Sequence, residues 1–215
     1  MKTAIVLGAS GLTGKKLVRL LLADKRYTKI KLLVRTPMDI IYEKIEQIVF
    51  DFDNPDVSVL KADEVFCCLG TTIRKAGSKA AFRKVDYDYI VNIVQLCRQN
   101  GVKRIAVISS MGANKNALVF YNNVKGETEE ALAKMSFDNC YIFRPSFLLG
   151  TRTESRTGES FTKFFVTILS FLIPLKYKPI QSKVVAAAMV YAMNEIDTPF
   201  KIFESDDIAH LPLNP

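Results

Sequence analysis

A glycine-rich turn near the start of the chain places the strongest constraint on its fold. Glycines stand at positions 8, 11 and 14, directly after the apolar, β-rich run TAIVL at residues 3–7. A helical pattern over residues 12–23 follows at once. Strand, glycine turn and helix in this order are typical of a dinucleotide-binding turn. Its backbone approaches a pyrophosphate closely, and the start of its helix offers free N–H groups.

A phosphate-binding P-loop is the other motif that places a lysine after such glycines. A P-loop needs a serine or threonine directly after its lysine to bind Mg²⁺. Here the pair Gly14-Lys15 is followed by Lys16. The missing hydroxyl argues against a triphosphate site and favours the dinucleotide-binding turn.

Strand and helix patterns alternate along the rest of the chain. Strand patterns cover residues 29–35, 46–52, 63–69, 104–109, 140–143 and 201–205, and helix patterns cover 82–100, 124–135 and 182–194. This alternation predicts an α/β fold with a doubly wound parallel sheet, and 215 residues are enough for one domain. The alternation changes after Pro145, so we expect residues 150–215 to contribute the small elements of a substrate cleft within this single domain.

Composition limits the kinds of site and partner. The only histidine is His210, which argues against Ser-His or Cys-His catalysis and excludes a histidine-rich metal site. The four cysteines lack metal-ligand spacing, and we expect reduced thiols in a cytoplasmic protein without a metal: Cys67, Cys68, Cys97 and Cys140. The chain enters its first strand directly, so we expect no secretory signal.

The net charge of +8 indicates an anionic ligand, such as a phosphorylated cofactor, an acidic substrate or a membrane surface. Lysines and arginines are dispersed without a basic block, so we expect no nucleic-acid partner.

Arg35 ends the second predicted strand, which faces the adenosine ribose in this fold. An acidic residue there would bind a free 2′-hydroxyl, whereas an arginine suits a 2′-phosphate. The sequence Val34-Arg35-Thr36 has no acid at this point and favours NADP(H) over NAD(H). The alternative is a surface arginine without a ligand.

Two further strand ends supply cofactor contacts. Asp51 could accept a hydrogen bond from the adenine amino group with Phe52 beside the ring, although an ordinary strand-end carboxylate explains Asp51 equally well. The loop after the fourth strand contains Leu69, Gly70 and Thr71, and its glycine lets the backbone pass close to the cofactor.

A serine, tyrosine and lysine follow the fifth strand. Tyr121 and Lys125 are four residues apart, so on a helix they share one face. The lysine ammonium lowers the pKa of a neighbouring tyrosine and binds the nicotinamide ribose, and the tyrosine acts as general acid or base. Ser110 is predicted to hold the same substrate oxygen, with Ser109 as the alternative.

These motifs resemble those of the atypical branch of the short-chain dehydrogenase/reductase superfamily, and within it the Tat-interacting-protein-like oxidoreductases. The resemblance spans nearly the whole chain, through GASGLTG, VFCCLGTTIRKAG, SSMGANKN, YNNVKGETE, FRPSFLLGTRTESRTGE and IFESDDIAHL. It implies an NAD(P)-binding Rossmann domain with a small C-terminal substrate-binding part, and NADPH as cofactor. The chain is short for a sugar-nucleotide epimerase, which argues against a bulky nucleotide-sugar.

The resemblance also implies roles for individual residues. Arg35 would bind the 2′-phosphate, and Tyr121 and Lys125 match the catalytic pair. The residues that would hold the pyrophosphate are Gly8, Ser10, Gly11, Leu12, Thr13 and Gly14. Those that would lie near the nicotinamide are Pro145, Ser146 and Leu148.

Residues 161–173 (FTKFFVTILSFLI) are very apolar but too short to span a bilayer as a helix. We expect a buried helix that covers the substrate cleft. The alternative is a peripheral membrane contact, with Lys163, Lys176 and Lys178 facing anionic lipids.

Two arginines precede this segment. Arg152 and Arg156 could bind an anionic substrate or a cofactor phosphate. Equally, they could pair with Glu154 and Glu159 in an exposed loop.

Two functional hypotheses follow, in addition to a peripheral membrane protein anchored by residues 161–173. The first is an NADPH-dependent oxidoreductase that acts on a small carbonyl or alcohol substrate. The second is a redox-sensing regulator that binds NADP(H) and a protein partner without turnover.

Overall fold

A seven-stranded parallel sheet organises the part of the chain that the computed structural model describes, residues 1–150 and 174–212. The strands are β1 (Lys2–Leu7), β2 (Tyr27–Val34), β3 (Ile45–Val49), β4 (Glu64–Cys67), β5 (Arg104–Ile108), β6 (Asn139–Arg144), β7 (Leu148–Leu149), β8 (Ile180–Gln181) and β9 (Phe200–Glu204). Their order in the main sheet is β3-β2-β1-β4-β5-β6-β9, while β7 and β8 pair separately. The order reverses between β1 and β4, the switch point at which open α/β sheets bind ligands. The predicted doubly wound Rossmann fold is confirmed.

Helices cover both faces of this sheet. They are α1 (Leu12–Ala23), α2 (Ile73–Ala76), α3 (Lys79–Arg83), α4 (Tyr89–Gln99), α5 (Phe120–Ala133), α6 (Ser182–Glu195) and α7 (Ser205–His210). α1 and α6 pack on one face, and α4 and α5 pack on the other. Strand residues alternate between these two layers: Ala4 and Val6 contact the first, Ile5 and Leu7 the second. Both faces are buried, which explains why β1 reads as a continuous apolar run.

Several element boundaries differ from the sequence prediction. The helix predicted over residues 82–100 is two helices, α3 and α4, joined by a π-helical turn over Lys84–Asp88. The third strand ends at Val49, so residues 51 and 52 lie in the following loop. α5 begins at Phe120, four residues before the predicted start, and this places Tyr121 on the helix.

The segment 161–173 and the two arginines at 152 and 156 lie outside the described residues, and the expectations made for them stay predictions. Among residues 1–150 and 174–212, no helix has both the length and the apolarity to cross a membrane.

A buried carboxylate joins the elements at the amino end of the sheet. Glu64 on β4 is 1% exposed, and it accepts hydrogen bonds from Lys2 Nζ at 2.6 Å and from the Tyr27 hydroxyl at 2.7 Å. Asn194 of α6 donates to the same hydroxyl at 2.9 Å. Burial and the adjacent Glu64 carboxylate raise the pKa of Tyr27, so the phenol keeps its proton and continues to donate. The cluster ties β1, β2, β4 and α6 together.

We expect Glu64→Gln to lower the free energy of unfolding by about 2–3 kcal/mol, because hydrogen bonds to a buried charge contribute about that much. The matched control is Glu46→Gln, which breaks the half-exposed pair between Glu46 and Lys29 at 2.8 Å. Exposed pairs contribute about 0–1 kcal/mol, so the control should change little. Urea unfolding followed by circular dichroism measures both, and equal losses would contradict this role of Glu64.

Candidate nucleotide-binding and active site

The glycine turn is shaped by contacts that leave no room for a side chain. Gly8 has a φ of +75°, and a Cβ there would lie 2.5 Å from the carbonyl oxygen of Cys68. A Cβ on Gly14 would lie 2.1 Å from the carbonyl oxygen of Gly8. The Gly11 N–H donates to that same oxygen at 3.0 Å and closes the turn. The turn therefore lies directly against the backbone that follows β4.

The start of α1 offers donors to an anion. Gly11 is the N-cap residue of α1, and no side chain caps the N–H groups of the first turn. Ser10 beside it is exposed. Thr13 Oγ1 is buried and has no hydrogen-bond partner among the described residues. Leu12 packs against Gly150, since a Cβ on Gly150 would lie 2.7 Å from Leu12 Cδ1. Free N–H groups and an unpaired buried hydroxyl at a helix N-terminus fit a pyrophosphate.

Arg35 follows β2 at the same edge of the sheet and is exposed. Within the described part of the chain it forms no ion pair. It follows the strand that pairs with β1, and its contact with a 2′-phosphate stays a prediction.

The two residues predicted to contact adenine are engaged within the protein. The Asp51 carboxylate accepts hydrogen bonds from the Asp53 N–H at 2.8 Å and from Asn54 Nδ2 at 3.2 Å. Phe52 is buried, with its ring centroid 5.1 Å from that of Phe50 and 5.4 Å from that of Tyr89. Their adenine contacts stay a prediction.

The loop after β4 joins the glycine turn to α5. Leu69 directly follows Cys68, and the Cys68 carbonyl packs against Gly8. A Cβ on Gly70 would lie 3.6 Å from Lys125 Nζ, and the Thr71 N–H donates to Asp86 Oδ2 at 2.8 Å. This loop therefore contacts both the glycine turn and the Lys125 side chain of α5.

Tyr121 and Lys125 lie one turn apart on α5, as predicted. Lys125 is 4% exposed, and its Nζ pairs with Asp86 Oδ1 at 2.7 Å. Burial lowers the pKa of Lys125, but the Asp86 carboxylate and Tyr121 outweigh burial, and the net shift is upward. The lysine is therefore a buried ammonium at neutral pH. The centroid of the Tyr121 ring lies 5.2 Å from that of the Phe82 ring.

The two serines after β5 have different surroundings. Ser109 is buried and its hydroxyl donates to Glu129 Oε1, which also accepts from Arg144 Nε at 3.0 Å. Ser110 is half-buried, and its hydroxyl makes a long contact of 3.5 Å with the Met111 carbonyl. This geometry favours Ser110 over Ser109 as the serine that meets a substrate.

The loop that carries Ser110 packs tightly on α5. A Cβ on Gly126 would lie 2.1 Å from the Lys115 nitrogen, and Asn114 N–H donates to the Asn122 carbonyl at 3.0 Å. Asn123 Nδ2 donates to the Lys115 carbonyl. These contacts fix the serine loop relative to the helix that carries Tyr121.

Residues 145–148 follow β6 at the same edge. The Pro145 carbonyl accepts from the Met111 N–H at 3.1 Å, next to Ser110. The Ser146 hydroxyl donates to the Lys178 carbonyl, and Leu148 pairs with Ile180 in the small β7–β8 sheet. Their contacts with a nicotinamide stay predictions.

Asp86 and Gly126 are parts of the site that sequence analysis did not single out. Asp86 lies inside a helical pattern, where an acid usually faces solvent. Gly126 directly follows Lys125. An isolated glycine in a helical pattern is the one sequence signal for the close contact between α5 and the loop at Lys115.

The fold and the site together define an NAD(P)-binding Rossmann protein. A family model described as NAD(P)H-binding matches residues 8–195, and the chain belongs to this NAD(P)H-binding family. Curated relatives confirm the predicted resemblance to atypical short-chain dehydrogenases/reductases. Protein HTATIP2 of Rattus norvegicus is 38% identical over 170 residues, covering 76% of this chain and 70% of that protein. The mitochondrial protein FMP52 of Eremothecium gossypii is 28% identical over 215 residues, covering 97% and 96%.

Solved structures of similar fold include nucleotide-sugar enzymes. MoeE5 in complex with UDP-glucose and NAD superposes with a TM-score of 0.73 at 16% identity, covering 94% of this chain and 75% of that one. A UDP-N-acetylglucosamine 4-epimerase from Methanobrevibacter ruminantium M1 gives a TM-score of 0.71 at 19% identity, covering 94% and 76%. At these identities the similarity establishes the fold alone.

Gly14→Ala should disrupt the glycine turn, because the added Cβ would overlap backbone that cannot move aside. We expect a loss of about 1–3 kcal/mol in unfolding free energy, together with loss of nucleotide binding. Gly11→Ala is the matched control: its Cβ would lie 3.2 Å from the Gly8 oxygen, and its φ of −73° suits alanine. That change should cost less than about 1 kcal/mol. Urea unfolding of the nucleotide-free variants measures the difference, and similar losses would contradict the contact analysis.

Proposed function

We propose that the protein is an NADPH-dependent oxidoreductase that acts on a small carbonyl or alcohol substrate. The observation that carries the proposal is the position of the Lys125 ammonium. It lies beside Gly70 in the loop that also packs against the glycine turn. The predicted pyrophosphate site and the Tyr121–Lys125 face therefore meet at the switch point of the sheet.

Each side chain has a distinct part in the proposed reduction. NADPH, when bound, supplies the hydride. Tyr121 donates its phenolic proton to the oxygen of the substrate carbonyl, which becomes an alcohol. Lys125 orients the nicotinamide ribose and stabilises the tyrosinate that remains. Ser110 donates a hydrogen bond to the same carbonyl oxygen and orients it.

Arg35 supports NADPH as the cofactor, since a guanidinium binds a phosphate through charge-assisted hydrogen bonds. The strand end before it, Val34, supplies no carboxylate to accept from a 2′-hydroxyl. The description of the matched family covers both nucleotides, and MoeE5 was solved with NAD. The choice between the nucleotides therefore depends on Arg35.

The substrate side of the cleft is proposed to come from residues 150–215. Of these, β8, α6, β9 and α7 lie within the described part of the chain. The predicted cytoplasmic location stays a prediction, and the fungal FMP52 relatives are named as mitochondrial proteins.

Arg35→Ala should weaken NADPH binding by about 10- to 100-fold and leave NADH binding unchanged, because hydrogen bonds to charged groups contribute about 1.5–3 kcal/mol. Titration of nucleotide fluorescence with both nucleotides measures the effect. Arg19→Ala is the control, since Arg19 is an exposed arginine two turns along α1. Equal weakening of both nucleotides, or of neither, would contradict a 2′-phosphate site.

Tyr121→Phe should lower kcat by about 100- to 10,000-fold, the usual contribution of a positioned general acid. NADPH affinity should stay near that of the wild type, because the ring and its packing on Phe82 remain. Tyr42→Phe removes an exposed phenol and serves as control. NADPH oxidation over a panel of small aldehydes and ketones measures turnover. Undiminished turnover would refute the mechanism, whereas NADPH binding without oxidation of any substrate would favour the redox-sensing regulator.

A further inference from the structure

Asp86 is a buried acid with no part in the chemistry proposed above. It is 0% exposed and is held from three directions. Oδ1 pairs with Lys125 Nζ at 2.7 Å, and Oδ2 accepts from the Thr71 N–H at 2.8 Å. Its own carbonyl accepts from Thr128 Oγ1, also at 2.8 Å. The residue therefore joins the loop after β4 to two successive turns of α5.

The π-helical turn sets where Asp86 points. The Tyr89 N–H donates to the Lys84 carbonyl, five residues back, so the turn holds one more residue than an α-helical turn. One residue corresponds to about 100° of helical rotation. The Asp86 side chain turns inward, while Asp88 on the same turn is exposed. π-Turns of this kind are frequent at functional sites.

Asp86 is also the counter-charge for Lys125. The titratable groups that raise the pKa of the ammonium are Asp86 from the π-turn, Tyr121 from α5 and Cys67 from β4. Burial raises the pKa of the Cys67 thiol to about 11, so that group is neutral at neutral pH. Asp86 is the one carboxyl group of the three, and it pairs with the ammonium at 2.7 Å.

We propose that Asp86 is a positioning residue, which keeps Lys125 charged and aimed at the nucleotide cleft beside Gly70 and Tyr121. Its effect on turnover rests on the proposed function. Its effect on the lysine can be measured without turnover.

The direction of the pH effect follows from the charges. In Asp86→Asn, burial still disfavours the ammonium but no carboxylate offsets it, so the pKa of Lys125 falls. The ammonium is then lost as the pH rises through this lower value. Turnover that needs the ammonium should therefore be lost at alkaline pH and recover as the pH falls.

The test is ¹⁵N NMR of the lysine Nζ in Asp86→Asn, with Asp88→Asn as the matched control. Lys125→Met assigns the Lys125 signal by its absence. We expect the Lys125 titration to move down by about one pH unit or more in Asp86→Asn and to stay at the wild-type value in Asp88→Asn. An unchanged Lys125 titration in Asp86→Asn would overturn the inference.

The pH profile of kcat provides the second readout. In Asp86→Asn, kcat should fall at least about 10-fold across the new lysine titration, whereas Asp88→Asn should keep the wild-type profile. A lower kcat at every pH with an unmoved profile would indicate a purely structural role and overturn the inference. If the wild type turns over no carbonyl but the lysine titration shifts, the proposed function fails and the electrostatic role of Asp86 stands.

A stability measurement covers the case in which Asp86→Asn does not fold at neutral pH. The double variant Asp86→Asn with Lys125→Met removes both charges, so neither is left buried without its partner. We expect it to melt at a higher temperature than either single variant. A double variant no more stable than the less stable single one would show that the two side chains are not a coupled pair.

Discussion

The close approach of two backbone segments at the switch point determines the rest of the site. Gly8 has no side chain, so the turn after β1 lies against the Cys68 carbonyl at the end of β4. The loop that continues from Cys68 then reaches Lys125 on its other side through Gly70. The loop therefore meets the glycine turn through backbone atoms on one side and the Lys125 side chain of α5 on the other.

Buried carboxylates provide a second level of organisation. Glu64, Asp86 and Glu129 are all buried, and each pairs with a cation from another element. A buried charge is tolerated only when it is paired and hydrogen-bonded, so each acid dictates which elements must meet around it. Glu64 does this at the amino end of the sheet, and the other two do so at the carboxyl end beside α5. The chain is basic overall, with a net charge of +8, and these three buried acids each have a fixed structural role.

The sequence predicted those parts of the molecule that depend on local patterns. Alternating strands and helices, the glycine turn and the spacing of Tyr121 and Lys125 all follow from short-range periodicity, and the structure has the predicted sheet with this pair on α5. Asp86 was missed because periodicity assumes a regular helix, whereas residues 84–88 form a π-turn and the partners of the Asp86 carboxylate lie elsewhere in the chain. Gly126 was missed because its neighbour, the loop at Lys115, is defined only by the tertiary fold. The end of β3 was placed too late because the apolar run continues into Phe50 and Phe52, which are buried by packing outside the strand.

The close packing of the serine loop on Gly126 has a consequence for ligand binding. The backbone around Lys115 fills the space that a side chain on α5 would occupy, so the loop lies closer to the helix than any residue but glycine at position 126 allows. The backbone that carries Ser110 is therefore joined to the helix that carries Tyr121 and Lys125 before any ligand is present. Backbone that is already ordered in the folded chain reduces the entropy that a ligand must offset when it binds.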